Sequence, residues 1–152
     1  MLLKFHRVYR KALLSVFALL FLYCGLISGQ NLIGYNGREI RKFMTEHMKD
    51  MHFNTVRNSQ FRYLKYSDSY EMQTLLFFLT PDSVCSSIRL VCDRALKAEK
   101  LKELDAKYVR LGRNSWRDSH GGRQYLIKFT DEEWSCTISY ESENLNLRSG
   151  SN

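Results

Sequence analysis

The chain is poor in residues that break or cross-link a fold, and it carries no recognisable catalytic motif. One proline and eight glycines among 152 residues argue against a disordered or low-complexity chain. The four cysteines form no C-x-x-C spacing, so the usual zinc and thiol-redox signatures are absent. No ligand-binding motif stands out either, and we predict neither a cofactor nor a metal.

The first 29 residues contain no acidic side chain and have the pattern of a secretory leader. A basic segment is followed by an uncharged apolar run over 12–27. As a helix this run would span about 24 Å, which is less than the roughly 30 Å of a membrane core. We therefore predict a signal peptide over 1–29 that is cleaved before Gln30. Its basic segment contains Lys4, His6, Arg7, Arg10 and Lys11.

Two other fates of the leader are open. Cys24, followed by Gly25, could carry a lipid anchor, although the bulky Tyr23 stands where a small residue is expected. An uncleaved leader would instead tether the chain, with everything after Gly29 outside the cytoplasm by the positive-inside rule. All three fates predict a periplasmic or secreted location. Contact with a membrane is expected only through an uncleaved leader or a lipid anchor.

The formal net charge of +7 belongs largely to the leader. Without the four Lys and Arg side chains of the leader, the remainder carries +3, which gives no electrostatic reason to expect a nucleic-acid partner. A chain of about 120 residues can bury one core. We predict a single domain over 30–141 and, because the last residues are mostly polar, a disordered tail over 142–152.

Two helices and six strands are predicted along this domain. Asn36 and Glu39 have the spacing of a capping box and precede apolar residues at helical spacing, which predicts a helix over 37–50. A second helix is predicted over 93–111, because Gly112 is suited to the position after a helix end. Strand-like runs cover 61–66, 72–80, 84–92, 115–118, 124–130 and 133–140.

The two halves of the domain are similar to one another. Residues 73–78 align with 124–129 and, after one skipped residue, 80–90 align with 130–140, with five of seventeen pairs identical. Each aligned segment follows a predicted helix. A helix and three strands, repeated once about an approximate two-fold axis, predict an α+β fold in which helices cover one face of an antiparallel sheet.

Strand alternation assigns the cysteines of the domain to faces. Cys92 and Cys136 are predicted on the helix-covered side and Cys85 on the opposite side. In an exported protein Cys92 and Cys136 could form a disulfide, provided that the strand order brings their Cα atoms within about 7 Å. The alternative is a pair of buried free thiols.

This helix-plus-sheet repeat resembles the β-lactamase-inhibitor-protein-like and PepSY-like periplasmic modules. Ile33-Gly34-x-x-Gly37 ahead of a helix is similar to the start of small α/β lipoproteins of outer-membrane assembly. Residues 73–93 are similar to small secreted proteins of unknown function from Bacteroidetes. These resemblances cover 32–141 and imply a non-enzymatic binding or adaptor role, and they carry no functional residue onto this chain.

The sheet face opposite the helices is the main candidate for a binding site. Basic and aromatic side chains are available there, and protein interfaces favour this composition. Alternation places only some of them outward, and the alternative is a solvated face without a partner. The candidate residues are Arg62, Tyr63, Phe77, Arg89, Trp116 and Lys128.

Histidine-based chemistry has weaker support. His47 and His52 are five residues apart, so they do not share a helix face as the i, i+4 pair of a metal site does. A small secreted cysteine-dependent hydrolase would use Cys85 or Cys136 as nucleophile, with a nearby histidine such as His120 as base.

We therefore expect an exported, non-catalytic binding or adaptor module that recognises a protein or an envelope component. The competing hypotheses are the cysteine-dependent hydrolase and a membrane-tethered structural domain.

Overall fold

A computed structural model describes residues 31–55, 62–120 and 122–143 of the chain. The predicted leader and nearly all of the predicted tail lie outside the described residues. The exceptions in the tail are Ser142, which belongs to the last strand, and Glu143. Among the described residues, no helix is long and apolar enough to cross a membrane.

The first helix, α1, spans Gly37–His47 and begins with the predicted capping box. The Asn36 side chain accepts hydrogen bonds from the backbone N–H groups of Arg38 and Glu39, each at 3.0 Å, and the Glu39 carboxylate accepts from the Asn36 N–H at 2.8 Å. These bonds satisfy donors that a helix start otherwise leaves unpaired. Ile40 and Met44 point into the core from this helix, and it ends three residues earlier than predicted.

The second helix, α2, spans Lys97–Lys107, and a short 3-10 turn at Arg94–Leu96 precedes it. The prediction that this helix continues to residue 111 is wrong. The last helical hydrogen bond runs from the Tyr108 N–H to the Leu104 carbonyl, and the chain then becomes an edge strand. In the strand, the backbone groups that follow Tyr108 form hydrogen bonds with the neighbouring strand. Val109 is β-branched, and β-branched residues favour strands.

Eight strands form one antiparallel sheet, in the order β1-β2-β3-β4-β8-β7-β6-β5. The six predicted strands are all present, and two edge strands, β1 and β5, are additional. The strands are β1 Met51–Asn54, β2 Tyr63–Asp68, β3 Gln73–Leu79, β4 Cys85–Asp93, β5 Val109–Gly112, β6 Ser115–His120, β7 Arg123–Asp131 and β8 Ser135–Ser142.

Along the described residues, one helix and four strands are followed by one helix and four strands. The first four strands and the last four each form a meander, and the two meanders meet where β4 pairs with β8. We call the β4·β8 pairing the seam. The α+β class and the antiparallel sheet are therefore confirmed, with four strands after each helix where the sequence predicts three.

Each helix lies over its own buried cluster on the same face of the sheet, the inner face. Ile40 and Met44 of α1 pack in the first cluster with Phe77 and Ile88. Leu104 of α2 packs in the second cluster with side chains of β4, β6, β7 and β8. Tyr140 packs against both clusters. The second cluster consists of Cys92, Leu104, Trp116, Ile127, Phe129, Cys136 and Ile138.

A β-bulge changes which face Cys85 occupies. The register between β3 and β4 shifts between Phe78 and Leu79, so that Phe78 pairs with Ser87 but Leu79 pairs with Cys85. Ser86 is the extra residue, and its hydroxyl donates to the Phe78 carbonyl at 3.2 Å. An extra residue reverses the alternation beyond it. Cys85 therefore packs in the first cluster beneath α1, and its predicted place on the opposite face is wrong.

The strand registers of the two halves do not agree with the sequence alignment in its first strand. Phe77 pairs with Ile88 in one half, and Phe129 pairs with Ile138 in the other. If Ile88 corresponds to Ile138, as the alignment has it, then Phe77 corresponds to Phe129 and not to Lys128. A shift of one residue moves every side chain to the other face, which is why the aligned Lys128 is exposed while Phe77 is buried.

Candidate interaction surface

The face of the sheet opposite the two helices, which we call the outer face, has a composition of its own. One row of directly paired residues crosses five adjacent strands on this face. Three of its five members are cationic, and its middle member, Arg89, is paired with Ser139 across the seam. We call this set the basic row. Its members, in order across the sheet, are Lys65, Leu76, Arg89, Ser139 and Lys128.

An aromatic pair lies beside the basic row. Tyr63 and Phe78 are directly paired across β2 and β3, and their ring centroids are 5.8 Å apart. The Arg89 guanidinium lies 5.1 Å from the centroid of the Phe78 ring. A cation over an aromatic face is held by the ring quadrupole, so Arg89 is positioned without losing its charge. The pair and Arg89 thus form a continuous aromatic and cationic patch.

Of the three cations in the basic row, only Lys128 forms an ion pair among the described residues. Lys128 lies 3.4 Å from the Glu141 carboxylate, and Arg117 lies 3.0 Å from that of Glu143. Within the part of the chain that the structure describes, neither Lys65 nor Arg89 has a carboxylate within 4 Å. The central arginine, which is exposed, is therefore available to an anionic group from outside.

The structure brings together three of the six predicted surface residues. Tyr63, Arg89 and Lys128 share the outer face. Phe77 and Trp116 do not belong to it: their side chains are 1% and 0% exposed and lie in the first and second clusters. Both face the helices because they alternate with the outward residues of their strands, so their prediction as surface residues is wrong.

Arg62, the sixth predicted residue, lies just before β2 and apart from the basic row. Its guanidinium donates to the Pro81 carbonyl at 2.9 Å, which ties it to the turn between β3 and β4. Three further residues of the outer face were not predicted from the sequence: Lys65, Leu76 and Phe78. Alternation from Tyr63 would have found Lys65, but the other two become outward only once the register of β2 with β3 is known.

Trp116 belongs to a polar network at the edge of the second cluster. Its indole N–H donates to Asp105 Oδ1 at 2.8 Å, and Arg110 donates to both oxygens of the same carboxylate at 2.8 and 2.9 Å. Arg110 also lies over the indole ring, 5.1 Å from its centroid. Asp105 on α2 thus joins the helix to β5 and β6.

We expect the stabilisation that the Asp105 network contributes to be lost in acid. Hydrogen bonds from Arg110, and then from Trp116, hold the pKa of the Asp105 carboxyl below its ordinary value of 3.8. A carboxyl with a depressed folded pKa stabilises the fold above its unfolded pKa and loses that effect as the pH falls through the folded pKa. In urea unfolding at pH values from 6 to 2, the midpoint of Asp105→Asn should therefore fall less steeply below about pH 4 than that of the wild type. Equal slopes would contradict this role.

The cysteine side chains lack the environment of a nucleophile. Cys85, Cys92 and Cys136 are free and buried. Burial raises the pKa of Cys85 to about 12, and its thiol donates to the Ser87 carbonyl at 3.5 Å. Burial also raises the pKa of Cys136. Because the reactive form of cysteine is the thiolate, neither thiol is activated for catalysis near neutral pH.

The histidines that the structure describes with side chains have other partners. The Nδ1 atom of His47 lies 3.3 Å from the Phe43 carbonyl, and its ring stacks on that of Phe43 at 4.6 Å. The Nε2 atom of His52 lies 3.1 Å from the Ser69 hydroxyl. The side chain of His120 lies outside the described part. No group of three or more metal-ligating side chains occurs among the described residues.

Comparison with protein-family models, with characterised proteins and with solved structures found no match to this chain.

Proposed function

We propose that this protein is an exported, non-catalytic binding module whose outer face recognises an acidic surface of another protein. The observation that carries the proposal is the basic row, which crosses the sheet on the face that neither described helix covers. A sheet covered by helices on one face only leaves a broad, rigid surface on the other, and a rigid surface binds at a low entropic cost.

The charges of the outer face favour an acidic partner. Four cations, Lys65, Arg89, Arg117 and Lys128, occur on it with three carboxylates, Asp93, Glu141 and Glu143. Complementary charge raises the association rate and excludes partners of like charge. Arginine and tyrosine beside apolar residues are the side chains that carry most binding energy in protein interfaces. Arg89 against Phe78, with Tyr63 next to them, supplies this composition at the centre of the face.

An internal repeat of one helix and four strands is part of the proposal. The antiparallel pairing at the seam places Arg89 opposite Ser139, with Ile88 opposite Tyr140 and Leu90 opposite Ile138. If residues 88–90 correspond to 138–140, the two-fold axis passes through the Arg89–Ser139 pair. The axis would then cross the basic row between Arg89 and Ser139, and the two halves of the outer face would present similar backbone surfaces to one partner.

The proposal also includes an exported location and a protein as the type of partner. Export rests on the leader pattern of residues 1–29, and the resemblance to periplasmic modules agrees with it. An envelope component with an anionic head group offers the same charge as an acidic protein. The aromatic pair and the breadth of the basic row favour a protein.

The proposal predicts that reversing the charge of Arg89 weakens binding to an acidic partner. Arg89→Glu should weaken binding of a poly-glutamate peptide about tenfold or more, since an attraction becomes a repulsion at the centre of the row. Binding would be measured by NMR titration, in which the amide signals of β2, β3, β4, β7 and β8 should shift. Lys42→Glu on the exposed side of α1 makes the same charge change on the helix side and should leave the affinity within about twofold.

Two results would contradict the proposal. One is an equal loss of affinity in Arg89→Glu and Lys42→Glu, which would indicate attraction by net charge alone. The other is a set of shifted amides on the helices. Vesicles that contain an anionic lipid, titrated in parallel, distinguish the envelope component: binding to vesicles without binding to the peptide would replace the protein partner with a lipid surface.

A further inference from the structure

Two cysteines face each other across the seam. Cys92 of β4 and Cys136 of β8 are direct partners in the antiparallel register, and both side chains are buried in the second cluster. They are free thiols in the structure. Because β4 and β8 belong to different halves of the sheet, this pair is the place where one covalent bond would join the two meanders.

The backbone geometry of the pair suits a disulfide. Directly opposite residues of an antiparallel ladder have Cα atoms about 4.5 to 5.5 Å apart. A disulfide accepts Cα separations of about 4.4 to 6.8 Å, so that no movement of the strands is required. Cys85 lacks such a partner, because the residue opposite it in β3 is Leu79 and it packs in the first cluster.

We propose that Cys92 and Cys136 form a disulfide when the protein folds under oxidising conditions, and that this bond fastens the two halves of the sheet. The two thiols lose two protons and two electrons as the S–S bond forms. A small disulfide such as glutathione disulfide accepts them and leaves as two thiols, through a mixed disulfide on one of the cysteines. The inference does not depend on the identity of the partner or on the binding activity of the outer face.

The burial of the pair determines when the bond forms. Both thiols lie under α2, and burial raises the pKa of each; that of Cys92 rises to about 12. A protonated, buried thiol exchanges slowly with an external disulfide. Closure is therefore fast while the chain is unfolded and slow once α2 has packed. The reduced, folded protein should be kinetically resistant to oxidation.

The test uses the full chain with its other two cysteines replaced, Cys24→Ser and Cys85→Ala, so that only the pair can react. The reduced, unfolded chain is refolded with glutathione disulfide in excess over glutathione. It is then unfolded in the presence of an alkylating agent, and its mass is measured. We expect no alkylated thiol after oxidative refolding and two after refolding with a reductant. Two alkylated thiols, or two bound glutathiones, in the oxidised sample would overturn the proposal.

A stability measurement shows whether the bond is compatible with the native fold. The bond closes a loop of more than 40 residues, and a long closed loop restricts the unfolded chain strongly. The urea midpoint of the oxidised chain should be higher than that of the reduced chain. A further Cys92→Ala substitution should remove the difference, with Cys136 recovered either as an alkylated thiol or as a mixed disulfide with one glutathione. An oxidised chain that is less stable than the reduced one would show a strained, non-native bond and would contradict the proposal.

Discussion

Replacing Trp116 by alanine should lower the free energy of unfolding by about 3 to 5 kcal/mol, the usual cost of removing a large aromatic side chain from a core. The indole is completely buried in the second cluster, so its removal leaves a large cavity beneath α2. The change also removes the N–H donor to Asp105 and the ring on which Arg110 lies. This loss is a large share of the stability of a small domain.

Trp134 provides the matched control for this prediction. It is the only other tryptophan of the chain and is 79% exposed, in the turn between β7 and β8. Trp134→Ala should change the free energy of unfolding by no more than about 0.5 kcal/mol. Both variants would be unfolded in urea and followed by far-UV circular dichroism, since tryptophan fluorescence changes with the substitution itself. Similar losses in the two variants would contradict the burial of Trp116.

The start of α1 shows what the sequence predicts well. The capping-box spacing of Asn36 and Glu39 is local chemistry, and the structure contains both of its hydrogen bonds. The apolar spacing that follows places Ile40 and Met44 in the core, as expected from helical periodicity. Sequence patterns that lie within one turn of a helix depend little on the rest of the fold. They can therefore be recognised from the sequence alone.

The end of α2 shows where local signals fail. Tyr108 and Leu111 continue the apolar spacing of the helix, yet residues 109–112 form the edge strand β5. The strand conformation of these residues is stabilised by pairing with β6, which is a tertiary interaction. The edge strand β1 was missed for a similar reason, since Met51–Asn54 is four residues long and is defined by its register with β2.

The candidate surface could be predicted only in part because faces depend on register. Trp116 and Arg89 have the types of side chain that interfaces use, but only Arg89 points outward. The bulge at Ser86 could not be read from the sequence, and it reverses the face of Cys85. The pairing of Cys92 with Cys136 likewise required the strand order, which the sequence does not contain.

Substitution of Ile138 by alanine should destabilise the domain by about 2 to 5 kcal/mol, because the removed methyl groups leave a cavity in the core. Ile138 is 2% exposed in β8, and Ile88, which the alignment makes its counterpart, is 5% exposed in β4. The two side chains lie on the inner face on either side of the seam, one in each cluster. Ile88→Ala should therefore cost a similar amount.

Ser139 is the control for both variants, because it follows Ile138 in β8 and points to the outer face opposite Arg89. Ser139→Ala removes one hydroxyl without opening a core cavity and should change the free energy of unfolding by less than about 0.5 kcal/mol. Urea titration followed by circular dichroism gives all three values. If the proposed repeat is correct, the losses in Ile88→Ala and Ile138→Ala should agree within about 1 kcal/mol, allowing for the context dependence of core substitutions. A negligible loss in either variant would contradict their equivalence, because equivalent positions of a repeat must both support the core.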